Sequence, residues 1–283
     1  MKSLVAGLSL ATCLGLIACG GSPSSPSPTP STSGTTASTP APTPAPTPTP
    51  APTPTPTPAT TAPDGTILLE GLPLNLGALD YTAIVARREG RESDWIPLDD
   101  FGRIFPITSA RPTAQANPQP TFYAPYGTPV LAVVSGTVTS IPTLYSNDFS
   151  VMIASGGQGG VWEHEHVINV SVRVGDRVTV GQQIAEVSNF ECVWGRNNQA
   201  SDPFCQSRLG LVEIGLLYGG SSNPPQHRCP FDPEVVSPAK RDAIFEQLNS
   251  ARARIKAAFG DPNKYRESTW ATPQCVTLAR VDG

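Results

Sequence analysis

The sequence predicts a mainly β protein of antiparallel strands with one C-terminal helix, set behind a long segment that cannot fold into a core. Three observations predict this. Between Phe122 and Asn189, β-branched residues alternate with polar ones and glycines interrupt the runs at turn positions, as in short antiparallel strands. Gly20 to about Ala62 is almost only Pro, Thr, Ser, Ala and Gly, a composition that buries nothing. Ile244, Leu248, Ala251, Ile255 and Phe259 recur three or four residues apart, the spacing of one helix face.

The chain begins with Met1-Lys2 and an apolar run from Leu4 to Ile17, so residues 1–19 read as a secretory signal, too short for a comfortable transmembrane helix. Its end, Leu16-Ile17-Ala18-Cys19, resembles the bacterial lipobox. That resemblance implies that Cys19 is diacylglycerated and anchors the mature chain in a membrane. Gly20 follows where an aspartate signals inner-membrane retention, so the expected location is the outer membrane, facing the periplasm or the cell surface. Residues 20–63 form a Pro/Thr-rich disordered tether in this reading. Alternating proline favours polyproline II, and at about 3.1 Å per residue such a tract reaches on the order of 120 Å.

About 220 residues remain, enough for one core. We divide them into a β domain, 64–235, and a C-terminal helix with a stapled tail, 236–283. The chain carries a formal charge of −4 and has no basic cluster with interleaved aromatics, which excludes a nucleic-acid partner. Four cysteines follow the signal: Cys192, Cys205, Cys229 and Cys275. In an exported chain they predict two disulfides, with Cys192–Cys205 and Cys229–Cys275 expected among three possible pairings. A four-cysteine zinc site is the rival, but no CxxC spacing supports it.

In order, Thr66–Leu69 reads as a first strand and Asp80–Arg88 as another, on its Tyr, Thr, Ile and Val. Leu98–Gly102 and a proline-dotted loop over 106–120 lead into the main sheet. Strands are expected over 129–141, 148–154, 161–167, 183–188 and 209–218. Val174-Gly175-Asp176-Arg177-Val178 reads as a tight turn between short strands, with Asp176 bonding back to its own backbone. Ser237-Pro238 is the expected helix start, serine capping and proline at the first helical position, and Gly260 the stop. The helix is expected to pack across the sheet or its edge.

The phrases Ala124-Pro125-x-Gly127-Thr128-Pro129-Val130 and Val172-x-Val174-Gly175-Asp176-x-Val178-x-x-Gly181-Gln182 resemble, in this order and spacing, the lysostaphin/LytM-type peptidoglycan endopeptidases. Their core is a duplicated hybrid motif, an antiparallel sheet or barrel-like sandwich. The resemblance covers about seventy residues. In the family a zinc ion, held by the His and Asp of HxxxD and a His of a later HxH, activates water against a peptide bond. Counting from Pro125 puts Asn117 and Thr121 at the first two ligand positions, and Leu209 and Leu211 at the later HxH. His166 matches a histidine that assists catalysis in the family. His164 stands two residues earlier, so on a regular strand both rings face one side. A metal site built afresh would draw on His164, His166 and His227; otherwise no metal is expected.

The resemblance therefore implies a non-catalytic relative that binds peptidoglycan or a cell-wall hydrolase. Asn117, Thr121, Leu209 and Leu211 would line its ligand groove. An active zinc endopeptidase with displaced ligands is the alternative, and a structural envelope protein without a groove is a second.

Overall fold

A computed structural model describes residues 59–62, 65–88, 97–99, 101–102, 104–105, 115–154, 160–189, 208–218 and 226–261. The signal, residues 20–58 of the expected tether, Cys192, Cys205 and Cys275 lie outside them; the last described tether residues, 59–62, are instead paired with the domain, Thr61 bridging Ile67 and the Leu68 N–H donating to the Thr60 carbonyl at 2.9 Å.

The strands are β1 (Leu98–Asp99), β2 (Ile104–Phe105), β3 (Gln115–Ala116), β4 (Thr121–Pro125), β5 (Pro129–Leu131), β6 (Gly136–Ser140), β7 (Phe149–Ala154), β8 (Val161–Ile168), β9 (Arg177–Val178), β10 (Gln183–Val187), β11 (Leu209–Tyr218) and β12 (Gln226–Arg228). Ten of them form one sheet with the order β1-β4-β11-β8-β7-β6-β9; β12 joins β11, and β10 bridges β5 and β8. Every pairing between these strands is antiparallel. β2 and β3 pair separately, β3 lying inside the stretch expected to be an unpatterned loop and β2 just before it. The expected strand over 129–141 is two strands, β5 and β6, separated by the buried Ala132–Ser135.

The turn at Gly175 forms as its residues dictate. Gly175 adopts φ +95°, and the Arg173 N–H donates to the Asp176 carboxylate at 2.8 Å. One side of the sheet packs into a single apolar core that includes Trp162, Phe122, Ile153, Ile214 and Phe231. The Trp162 indole N–H donates to the Ile67 carbonyl at 2.7 Å, satisfying its one polar atom in that core.

Further expectations change. Asp80–Arg88 is not a strand: α1 runs Tyr81–Arg88. The Asp80 carboxylate accepts the Ala83 N–H at 3.0 Å, and Tyr81, Ile84 and Val85 share one buried face, so capping and helical spacing override β propensity. Thr66–Leu69 makes only isolated bridges, Ile67 with Thr61 and Leu69 with Val236. The long helix α2 begins at Arg241, not at Ser237-Pro238, and ends at Phe259 with Gly260 in a positive-φ cap. Ser237 is buried and its N–H donates to the Leu69 carbonyl, so tertiary pairing holds that residue outside the helix.

The predicted face of α2 is buried at Ile244, Leu248, Ala251 and Ile255, but its main neighbours are α1 and the 3-10 turn Leu76–Ala78 rather than the sheet. Arg254 fastens that contact. Its guanidinium donates to the carbonyls of Leu76, Gly77 and Leu79 and lies 4.9 Å from the centre of the Tyr81 ring. Cys229 is buried and disulfide-bonded, its partner outside the described residues.

Candidate functional site

β8 carries the site, and its backbone is irregular at one point. Against β7, Phe149 pairs with Val167 and Val151 with His164, so two steps on β7 match three on β8. This is a β-bulge around Glu165 and His166, and His166 adopts φ +59°. A non-glycine residue in that region costs on the order of 1 kcal/mol. The bulge breaks the alternation that would put His164 and His166 on one side. His164 points into the core: its Nε2 accepts the Val133 N–H and its Nδ1–H donates to the Val151 carbonyl, both at 3.1 Å. His166 turns instead to the carboxylate-bearing face.

On that face two strands bring acidic side chains into register, beside a third that offers a hydroxyl. Glu213 of β11 lies opposite Glu165 of β8 on one side and Thr121 of β4 on the other. One rung along, Glu163 lies opposite Gly215. His166 Nδ1–H donates to Asp148 Oδ2 at 3.1 Å, and its Nε2 stands 3.6 Å from Glu213 Oε2. Asp148 is held in turn by the hydroxyls of Ser146 and Ser188. Glu163 Oε2 lies 3.3 Å from His227 Nε2 and accepts from the Gln119 amide at 3.3 Å.

Crowding of these charges sets their protonation. Burial, then the charges of Glu163 and Glu213, push Glu165 up to about 7. Burial opposes a charge on His166. The Asp148 hydrogen bond and the charges of Glu213, Asp148 and Glu165 outweigh it and raise its pKa above the usual imidazole value. Asp148 is also desolvated, yet its bonds to His166 and the two serines hold it below the ordinary carboxylate range. His164, desolvated and without a carboxylate partner, drops to about 4.

The four residues expected to line a groove are all buried: Asn117 4%, Thr121 2%, Leu209 0% and Leu211 4% exposed. Leu209 and Leu211 belong to the apolar core, so they do not offer an open apolar wall. Asn117 and Thr121 bond to each other at 3.1 Å, and both donate to Glu213 Oε1, at 3.3 and 2.6 Å. The more accessible groups here are the partly exposed Glu165 and Glu213, with the exposed Tyr145 standing edge-on to His166 at 6.3 Å between ring centres. The trio His164, His166 and His227 does not assemble: one is in the core, one in the Asp148–Glu213 pair, one on Glu163.

Residues 120–198 match the model of peptidase family M23. Over that stretch the chain is similar to peptidase family M23. No protein of curated function matches the chain. Among solved structures the chain is similar to LytU (23% identity, 48% of this chain and 82% of that one, TM-score 0.37). It is similar to a variant catalytic domain of the prophage-encoded M23 protein EnpA from Enterococcus faecalis (20%, 50% and 93%, TM-score 0.35). It also resembles the catalytic domain of the antimicrobial peptidase lysostaphin from Staphylococcus simulans (15%, 48% and 89%, TM-score 0.34).

The zinc that an M23 domain implies does not fit the positions the resemblance assigns to it. Asn117 and Thr121 use their polar atoms on each other and on Glu213, and leucine has no donor atom. A different set does converge among the described residues: one ligand atom each from Glu165, His166 and Glu213 lie within 4.8 Å of one another. Sequence reading missed Asp148, Glu165 and Glu213. Glu213 had a signal, being the sole charge in the apolar run Leu209–Tyr218. Asp148 had none, since only the β7–β8 pairing brings it to His166.

Proposed function

We propose that this chain is a lipid-anchored envelope protein whose M23 domain holds peptidoglycan without cutting it through the family's zinc constellation. The observation that carries the reading is the closed set Asn117–Thr121–Glu213. Side chains stand there that satisfy one another, with no ligand set for a catalytic zinc. The leucines at 209 and 211 remove the later imidazoles as well. The binding surface is the partly exposed acidic edge at Glu165 and Glu213 together with Tyr145, whose exposed ring offers an amphipathic contact at little conformational cost. Cys19 is the anchor, and the Pro/Thr-rich tract is the tether that carries the domain from the outer membrane towards the wall. The disulfides in this reading are Cys192–Cys205 and Cys229–Cys275. A cell-wall hydrolase is the alternative partner for the same surface.

The test is co-sedimentation of the purified protein with sacculi, with muropeptide release followed in parallel. The protein sediments with the wall, Tyr145→Ala weakens that binding several-fold, and no muropeptides appear. Protein left in the supernatant refutes wall binding. Muropeptide release abolished by a chelator establishes the active endopeptidase instead.

A further inference from the structure

We infer that Glu165, His166 and Glu213 form a divalent-cation site distinct in its ligands from the family's zinc site. The inference stands on side-chain geometry and holds whether or not the domain binds peptidoglycan. The three donors lie within 4.8 Å of one another, and His166 Nε2 is 3.6 Å from Glu213 Oε2. Two ligands bound at about 2.0–2.1 Å in a tetrahedral site stand about 3.3 Å apart, so this edge is almost formed. Glu165 is directly across from Glu213 and partly exposed, on the same face as His166 Nε2.

A second feature lies outside the donor set. Asp148 accepts the Nδ1–H of His166, which fixes the tautomer with the lone pair on Nε2, the atom that faces Glu213. Carboxylate-to-histidine support of this kind orients metal-bound imidazoles and raises their basicity. Asp148 is itself locked by Ser146 and Ser188, so the support is two layers deep. The bulge supplies the direction: without the extra residue in β8, His166 would face the core beside His164.

One imidazole and two carboxylates suit a first-row divalent ion such as zinc better than calcium or magnesium, which prefer oxygen alone. Three protein ligands leave at least one position open towards solvent, to be taken by water or by an oxygen of a bound ligand. His166 becomes a ligand rather than a proton carrier, so the site recognises or stiffens and does not reproduce the family's catalytic arrangement.

The experiment is titration of the full, chelator-stripped protein with zinc chloride, read by calorimetry and thermal melting, with cobalt(II) absorption as a second readout. The expected result is one equivalent of zinc, a raised Tm and a visible cobalt spectrum of four- or five-coordinate type. Glu213→Gln and Glu165→Gln weaken binding at least tenfold, and Asp148→Asn weakens it about 10–100-fold without removing a ligand. His227→Ala leaves it unchanged. No zinc uptake, a cobalt spectrum of the hydrated ion, or affinity indifferent to Glu213→Gln overturns the site. The cobalt spectrum of the unaltered protein decides the matter even if a variant fails to fold.

Discussion

Glu163 and Gly215 face each other across β8 and β11, and a Cβ at position 215 would meet the Glu163 carboxylate at 2.6 Å and the Gln119 amide nitrogen at 3.1 Å. Glycine at 215 is what allows Glu163 to lie across β11 and reach Gln119 and His227. Gly215→Ala must push that buried carboxylate off its partners. The expected loss is about 1–3 kcal/mol of stability, read from urea midpoints. Combined with Glu163→Ala the loss should shrink, because the clash and the broken contacts then share one cause. Full additivity of the two changes would contradict this account.

His164 and Glu165 pull stability in opposite directions over one pH range. The folded pKa of His164 is lowered from 6.5 to about 4, so between those values the unfolded chain binds more protons and stability drops as pH falls. At about 1.4 kcal/mol per unit this amounts to on the order of 3 kcal/mol. Glu165 is raised from 4.5 to about 7, so its stability contribution is lost as pH rises through that window. In a chelating buffer, His164→Gln should leave stability falling more steeply from pH 4.5 to 7 than in the parent. Glu165→Gln should make it rise. Parallel profiles for all three proteins would rule out both shifts.

The cysteines give a covalent prediction. A non-reduced digest should yield peptides joining Cys192 to Cys205 and Cys229 to Cys275. In the chain-entropy view, closing a loop of roughly 15 residues contributes about 3 kcal/mol, and the longer loop somewhat more. Peptides that join Cys229 to any other cysteine would redraw the C-terminal tail.

Cys19→Ser should move the protein from the membrane fraction to the soluble fraction while the melting curve of the β domain stays the same. The tether separates the anchor from the core, so loss of one should not be felt by the other. Unchanged membrane association would remove the lipobox from the account.

Sequence by itself determined the class of fold and the main strands. Alternation of apolar and polar residues is a local property, and it marked β7, β8, β10 and β11 to within a residue or two. It also determined the face of α2 that is buried, because helical spacing is local too. Tertiary structure decided the rest. Asp80–Arg88 became helix when one side of Tyr81, Ile84 and Val85 found Arg254 and α2 to pack against. At the site, alternation predicted His164 and His166 together, and one bulged residue separated them. A bulge leaves no mark in periodicity, because the extra residue is paid for by pairing with another strand. For the same reason Asp148, Glu165 and Glu213 were invisible as a group: the bend before β7 and the strands β8 and β11, from different parts of the chain, must be aligned before their carboxylates meet around one imidazole.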